Sequence, residues 1–269
     1  MKNLMKYLSG TILLAIAVFL IHHRNNVNLP ETENHAIDKI EIPAKLKDKP
    51  EQIIAHTGFT VSYNAEWKIP NWVAYELTKE KAKGSASRSE TFVPDPEIPY
   101  KKSATTYDYQ NSGWDRGHMA PAADMKWSEQ AMKESFYLSN VCPQNRNLNA
   151  GVWNDLEIQV RELAIQKGKI YVVCGPIVSK QSKTIGSNKV TVPDAFFKAL
   201  LQNYSGQWSS IAFMFENKSG RKPLSSYAMT VEELQTITGI AFFPALPDSI
   251  KVKIFSQVDF TKWNIKKQP

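Results

Sequence analysis

Between Trp114 and Met125 the chain reads WDRGHMAPAADM, which sets His118 between the carboxylates of Asp115 and Asp124 and close to Arg116. A neutral imidazole, with an ordinary pKa near 6.5, can take a proton from water at neutral pH. Further along, Asn149, Trp153, Glu157 and Arg161 follow one another at steps of four. On a helix these residues share one side, with a drift of about 40° per step. That side would present an amide oxygen, a carboxylate and a guanidinium to one region. An amide oxygen is a hard, neutral ligand that suits Mg²⁺, an ion that keeps most of its shell as water or substrate phosphate. A guanidinium holds phosphate oxygens through its planar fork. The set therefore suits phosphodiester hydrolysis.

Each residue also has a plainer reading. His118 could be a hydrogen-bonded structural residue on a short strand, Asn149 an N-cap, and Arg116 a solvated loop charge. Glu157 and Arg161 could form an exposed i,i+4 ion pair worth a few tenths of a kcal/mol. Their joint occurrence favours chemistry.

The elements that must position these groups can be read in outline. FTVSYNAEWKIPNWVAYEL predicts two strands around a Pro-Asn turn, the second from Trp72 to Leu77. KIYVVCGPIV is a continuous apolar run, as expected of a strand buried on both faces, and WSSIAFMFEN is another strand. Trp153, Leu156, Val160, Leu163 and Ala164 fall at helical spacing, and Thr230 with Glu233 makes a capping-box pattern. Strands and helices without regular βαβ alternation predict an α+β fold.

The 269 residues carry 33 Lys and Arg against 26 Asp and Glu, a formal charge of +7, which leans towards an acidic partner such as nucleic acid or an anionic membrane surface. With 42% hydrophobic and 22% charged residues the composition is that of a globular protein and not of a disordered or fibrous one. Residues 1–24 read as a signal peptide or membrane anchor: Lys2 and Lys6 precede the apolar run Tyr7 to Ile21, and His22, His23 and Arg24 close it. Either form predicts an extracytoplasmic domain, membrane-anchored, periplasmic or secreted. Residues 25–50 are polar with three prolines and read as a linker, leaving 51–269 as one domain. Cys142 and Cys174 stand in apolar, strand-like contexts that suit buried free thiols, although an exported location permits one bridge.

The ordered series Asp115-Arg116-Gly117-His118, Asn140-Val141-Cys142-Pro143-Gln144, Leu148-Asn149, Trp153 and Leu156-Glu157 resembles the DNA/RNA non-specific endonucleases, the group of the Serratia-type nuclease and mitochondrial endonuclease G. The likeness extends over about residues 56–247, through NWVAYEL, SRSETFVPDP, YVVCGPI, VPDAFFK and TGIAFFPALP. The resemblance implies a ββα-metal (His-Me finger) fold with a mixed central sheet flanked by helices. It also implies that His118 is the general base and Asn149 the direct protein ligand of Mg²⁺, with Mn²⁺ as a substitute. Glu157 then holds metal-bound waters, Arg88 binds the scissile phosphate, Arg161 makes a second phosphate contact, Asn140 supports the site and Arg116 contributes to it. The implied reaction acts on DNA and RNA alike and leaves 5′-phosphate and 3′-hydroxyl ends. Contacts to phosphate in place of base edges or the 2′-OH would explain the tolerance for both sugars. The disulfide positions of secreted members are not reproduced by Cys142 and Cys174.

Two rival readings stand beside this one. A catalytically silent nucleic-acid-binding module would use the basic charge but leaves His118, Asn149 and Glu157 together unexplained; its binding would survive chelation and show only salt dependence. A cysteine hydrolase built on Cys142 and His118 is disfavoured because Cys142 precedes proline in an apolar run.

Overall fold

The computed structural model describes residues 39–265, so the N-terminal segment 1–24 lies outside the described residues. In chain order the strands are β1 (Gln52–Ala55), β2 (Thr60–Asn64), β3 (Ile69–Thr78), β4 (Asp115–His118), β5 (Val141–Gln144), β6 (Lys169–Ile177), β7 (Thr184–Ile185), β8 (Val190–Thr191), β9 (Ala195–Tyr204), β10 (Gln207–Glu216) and β11 (Ala228–Met229). Seven of them form one sheet in the order β1-β2-β3-β6-β9-β10-β11, while β4 pairs with β5 and β7 with β8. The fold is α+β as expected, but every strand pair in the large sheet is antiparallel, not mixed.

Local chemistry explains the pairing. Between β9 and β10 the two-residue turn Ser205-Gly206 has both φ values positive, 52° and 76°, the twist that matches paired strands. The turn between β2 and β3 is not at Pro-Asn but at residues 65–68. There Asn64 Oδ1 accepts from the backbone N–H groups of Glu66 and Trp67, at 3.0 and 3.2 Å, and Lys68 sits at φ 57°. Pro70 is tolerated inside β3 because the register shifts between Ser62 and Tyr63, opposite the missing N–H.

Alternation along the strands divides two apolar cores between the faces of the sheet. Phe196 and Leu200 of β9 join Val172 and Cys174 of β6 on one face, against Leu156, Val160, Leu163 and Ala164. Those four line one side of the helix Asn154–Lys167, as their spacing predicts. Phe197, Ala199 and Leu201 join the other face with Val231 and Leu234 of the helix Val231–Thr238, which begins with the expected Thr230–Glu233 capping box. With both faces covered, β6 and β9 are apolar almost throughout.

Part of the expected linker belongs to the domain. Ile40 is buried, Ile42 and Leu46 pack beside it on the second core, and Ala44 N–H donates to Ala241 O. The polar, proline-containing composition hid three apolar side chains, Ile40, Ile42 and Leu46, whose steps of two and four follow no single period. Cys142 and Cys174 are buried free thiols.

Residues 79–168 leave the sheet after β3 and return in β6, where Thr78 pairs with Lys169. Every residue expected to act on substrate lies in that excursion. Asn217, just beyond β10, ties it to the sheet: its Oδ1 accepts from Asn145 N–H at 2.8 Å, and its Nδ2 donates to Pro143 O at 3.1 Å and Pro193 O at 2.8 Å. Asn217→Ala strands these buried groups and is expected to cost about 2–4 kcal/mol in a urea unfolding measurement.

Candidate active site

The antiparallel pair β4 and β5 sets His118 opposite Val141 and Gly117 opposite Cys142. A Cβ on Gly117 would lie 2.0 Å from Gln144 Oε1 and 2.6 Å from Gln144 Cβ, so only glycine lets the two strands approach. Beyond His118 the chain is held by Asn140, which is fully buried. Its Oδ1 accepts from Ala120 N–H at 2.8 Å, and its Nδ2 donates to the carbonyls of Ala120 and Ser135, both at 2.9 Å. Asn140 therefore supports the site through the backbone and does not line the cleft.

His118 stands at the wall of a cleft of about 610 Å³ that Arg88, Arg116, Asn149, Glu157 and Arg161 also line. Four of the five arginines among the described residues face this one space, the fourth being Arg146. Two aromatic rings organise the wall. Phe136 meets His118 edge-on at 4.8 Å between centroids, and Phe92 lies tilted against it at 5.2 Å. Each ring also seats an arginine: the Arg88 guanidinium lies 5.0 Å from the Phe136 centroid and that of Arg116 4.6 Å from Phe92. Neither arginine has a carboxylate partner among the described residues, so both keep their donors for a ligand. The loop carrying Arg88 and Phe92 is anchored where Asp95 Oδ2 meets Ser139 Oγ at 2.5 Å and His56 Nε2 at 2.9 Å.

This surrounding keeps His118 neutral. Burial first, then the charges of Arg88 and Arg116, lower its pKa to about 3, and its Nε2 has no hydrogen-bond partner among the described residues. A neutral imidazole with an unused ring nitrogen is a proton acceptor.

Asn149 does not open a regular helix. It lies in a π-helical turn, Asn149–Trp153, interrupted at Gly151 (φ −105°, ψ −121°), and the α-helix starts at Asn154. The capping role belongs to Asn145, whose Oδ1 accepts from Asn147 and Leu148 N–H. Asn149 instead turns its amide into the cleft: Nδ2 donates to Asp115 Oδ2 at 3.3 Å, which leaves Oδ1 without a partner among the described residues. Asp115 also accepts from Arg146 Nε at 3.2 Å.

The step of four does not place Trp153 at the site. It is buried against Phe196 and Phe215. Glu157 and Arg161 do line the cleft, but not as an ion pair. Arg161 donates to Asp124 Oδ1 at 2.8 Å, and Asp124 Oδ2 accepts from Tyr75 Oη at 2.8 Å. One arm of the expected phosphate contact is thus committed to a buried carboxylate. Asp115, Asp124, Phe92, Phe136 and Arg146 received no role from the sequence. Asp115 and Asp124 flank the histidine motif, a signal that could have been used, whereas the phenylalanines and Arg146 reach the site only through folding.

The oxygen donors in the cleft suit a hard cation. Among the described residues no three His, Cys, Asp or Glu side chains converge on a metal cage. An ion held here would keep most of its shell as water or phosphate oxygens, as Mg²⁺ does. The free Oδ1 of Asn149 and the buried, unpartnered Oε1 of Glu157 are suitable hard donors.

A family model for DNA/RNA non-specific endonucleases matches residues 39–249. The chain belongs to this family. Mitochondrial nuclease EXOG of Mus musculus is 35% identical over 224 residues, covering 77% of this chain and 61% of that protein. Mitochondrial endonuclease G of Homo sapiens is 33% identical over 207 residues, covering 72% and 70%. The chain spans about three fifths of the length of the EXOG relatives it matches. A solved structure of the EndoG/EndoGI complex, concerned with the mechanism of EndoG inhibition, superposes with a TM-score of 0.71 at 28% identity, covering 79% of this chain and 91% of that one. The family's ββα-metal fold is the one seen here.

Burial pushes the Glu157 carboxyl up to about 7, with Lys198 and Arg161 opposing and Asp124 adding to the shift. Between its ordinary 4.5 and about 7 the folded metal-free chain holds a proton that the unfolded chain has released, so stability falls as pH rises through that window. Glu157→Gln is expected to stabilise the metal-free protein at pH 8, with the gain fading towards pH 4.5, in thermal unfolding across a pH series.

Proposed function

We propose that the protein is a metal-dependent endonuclease that hydrolyses phosphodiester bonds of DNA and RNA and leaves 5′-phosphate and 3′-hydroxyl ends. The observation that carries the reading is the meeting, in one arginine-lined cleft, of an unpartnered neutral His118 with the free amide oxygen of Asn149. Family membership supports the reaction class.

In this reading Arg88, with its guanidinium seated on Phe136, binds the scissile phosphate. Arg116 adds charge from the opposite ring, and Arg161 offers the donors that Asp124 leaves free. Burial is the larger cause of the low His118 pKa; the phosphate's negative charge would offset the smaller part due to Arg88 and Arg116, which favours the base in the complex. His118 then takes the proton of the attacking water. Asn149 Oδ1 would hold Mg²⁺ directly, and Glu157 would hold its waters, with Mn²⁺ as a substitute. The bound ion supplies positive charge against the charge that builds on the phosphate oxygens. Arginines that hold phosphate carry no base or sugar information, which accounts for action on both nucleic acids.

We also propose export by residues 1–24, on the pattern of Lys2, Lys6 and the following apolar run. No helix among the described residues is long and apolar enough to cross a membrane.

Protein lacking residues 1–24 is expected to cut supercoiled plasmid and total RNA with Mg²⁺ and to be inert in EDTA. His118→Ala is expected to lose on the order of a hundredfold or more in rate. DNA binding without cleavage under any divalent ion would replace the nuclease with a silent binding module.

A further inference from the structure

Lys198 lies in the middle of β9 and is fully buried. Its side chain shares a face with Phe196 and Leu200, and its strand partners are Cys174 on β6 and Phe213 on β10, all buried in the same core. A lysine in such a place ordinarily bends its head to water. This one does not: Nζ lies 4.5 Å from the Trp153 ring centroid and has no hydrogen-bond partner among the described residues. The ring face offers the ammonium a weak attraction, far from enough to replace its hydration.

The carboxylates within electrostatic reach are Asp124 and Glu157, on two different elements at the back of the cleft. Asp124 already has a direct cation, Arg161, at 2.8 Å. Among the described residues Glu157 has no cation in contact, and its Oε1 is buried without a hydrogen-bond partner. Trp153, which carries the ammonium on its face, precedes Glu157 by one helical turn. Two anions and two cations thus make a buried, electrically balanced group, with Arg161 assigned to one anion and Lys198 left for the other.

We propose that Lys198 is the counter-charge of Glu157, a positioning residue that rises from the sheet towards the back of the cleft. It touches neither substrate nor metal. It keeps a carboxylate tolerable in an apolar wall and holds it aimed at the cleft. Its consequence for metal binding rests on the function proposed above; the charge pairing itself does not.

The test is a double-mutant cycle on the full chain, metal-free at pH 8, comparing the parent, K198M, E157Q and K198M/E157Q by thermal unfolding. K198M is expected to be less favourable in the parent, where Glu157 is present, than in the E157Q background, with the two midpoint changes differing by about 3 °C or more. Equal changes in the two backgrounds would mean that Lys198 only fills space, and the proposal falls. If K198M does not fold, recovery of folding in the double variant supports the pairing, and failure of both overturns it. Calorimetric titration with MgCl₂ supplies the second readout, where K198M is expected to bind about tenfold more weakly than the parent. Unchanged affinity would overturn the positioning role. A parent chain that binds no Mg²⁺ would sink the metal reading while leaving the stability cycle to decide the pairing.

Discussion

The pairing of Thr78 with Lys169, where β3 meets β6, closes the segment 79–168 into a loop with both ends fixed in the same sheet. Such closure is entropically costly, and what offsets it is the apolar face that Leu156, Val160 and Leu163 bury against β3 and β6. The turn before the long helix is broken from it at Gly151 and carries Asn149 towards the cleft. Asn149 therefore faces β4, and Asp115 is close enough to fix its amide. The site is a by-product of covering one side of a sheet.

Electrostatics on the two sides of that cover differ in kind. At the mouth, Arg88 and Arg116 are exposed, stand on aromatic rings and lack carboxylate partners among the described residues, a state that favours an anion. Deeper in, Asp124 faces Arg161, which belongs to both zones because it lines the cleft and is pinned by that carboxylate. Burial, and after it the same guanidiniums that would attract phosphate, hold His118 neutral. An anion bound there and the protonation state of His118 would be linked through that pair of side chains.

Legibility followed the range of the interactions involved. The buried strands, the helix stripe and the Thr230–Glu233 capping box are local patterns, and all appear in the structure. Local patterns also misled. Pro70-Asn71 has turn composition, yet an Asx turn at Asn64 and a register shift place it inside a strand. Steps of four from Asn149 assume an unbroken helix, and Gly151 breaks it, so Trp153 packs in the core while Asn149 reaches the cleft. The i,i+4 spacing of Glu157 and Arg161 suggested a pair, but Asp124 is the nearer, buried competitor.

By itself the sequence determined the α+β class and the family, and it named His118, Asn149, Glu157, Arg88 and Arg161 as candidates, because residue type and spacing along the chain are enough to state a motif. Tertiary structure alone decided which of these share a space and in what state. The rings under Arg88 and Arg116, the grip of Asp124 on Arg161 and the ammonium of Lys198 behind Trp153 all join residues far apart in the chain. Burial and charge act through space, at distances that only the packed sheet and its covering helix define.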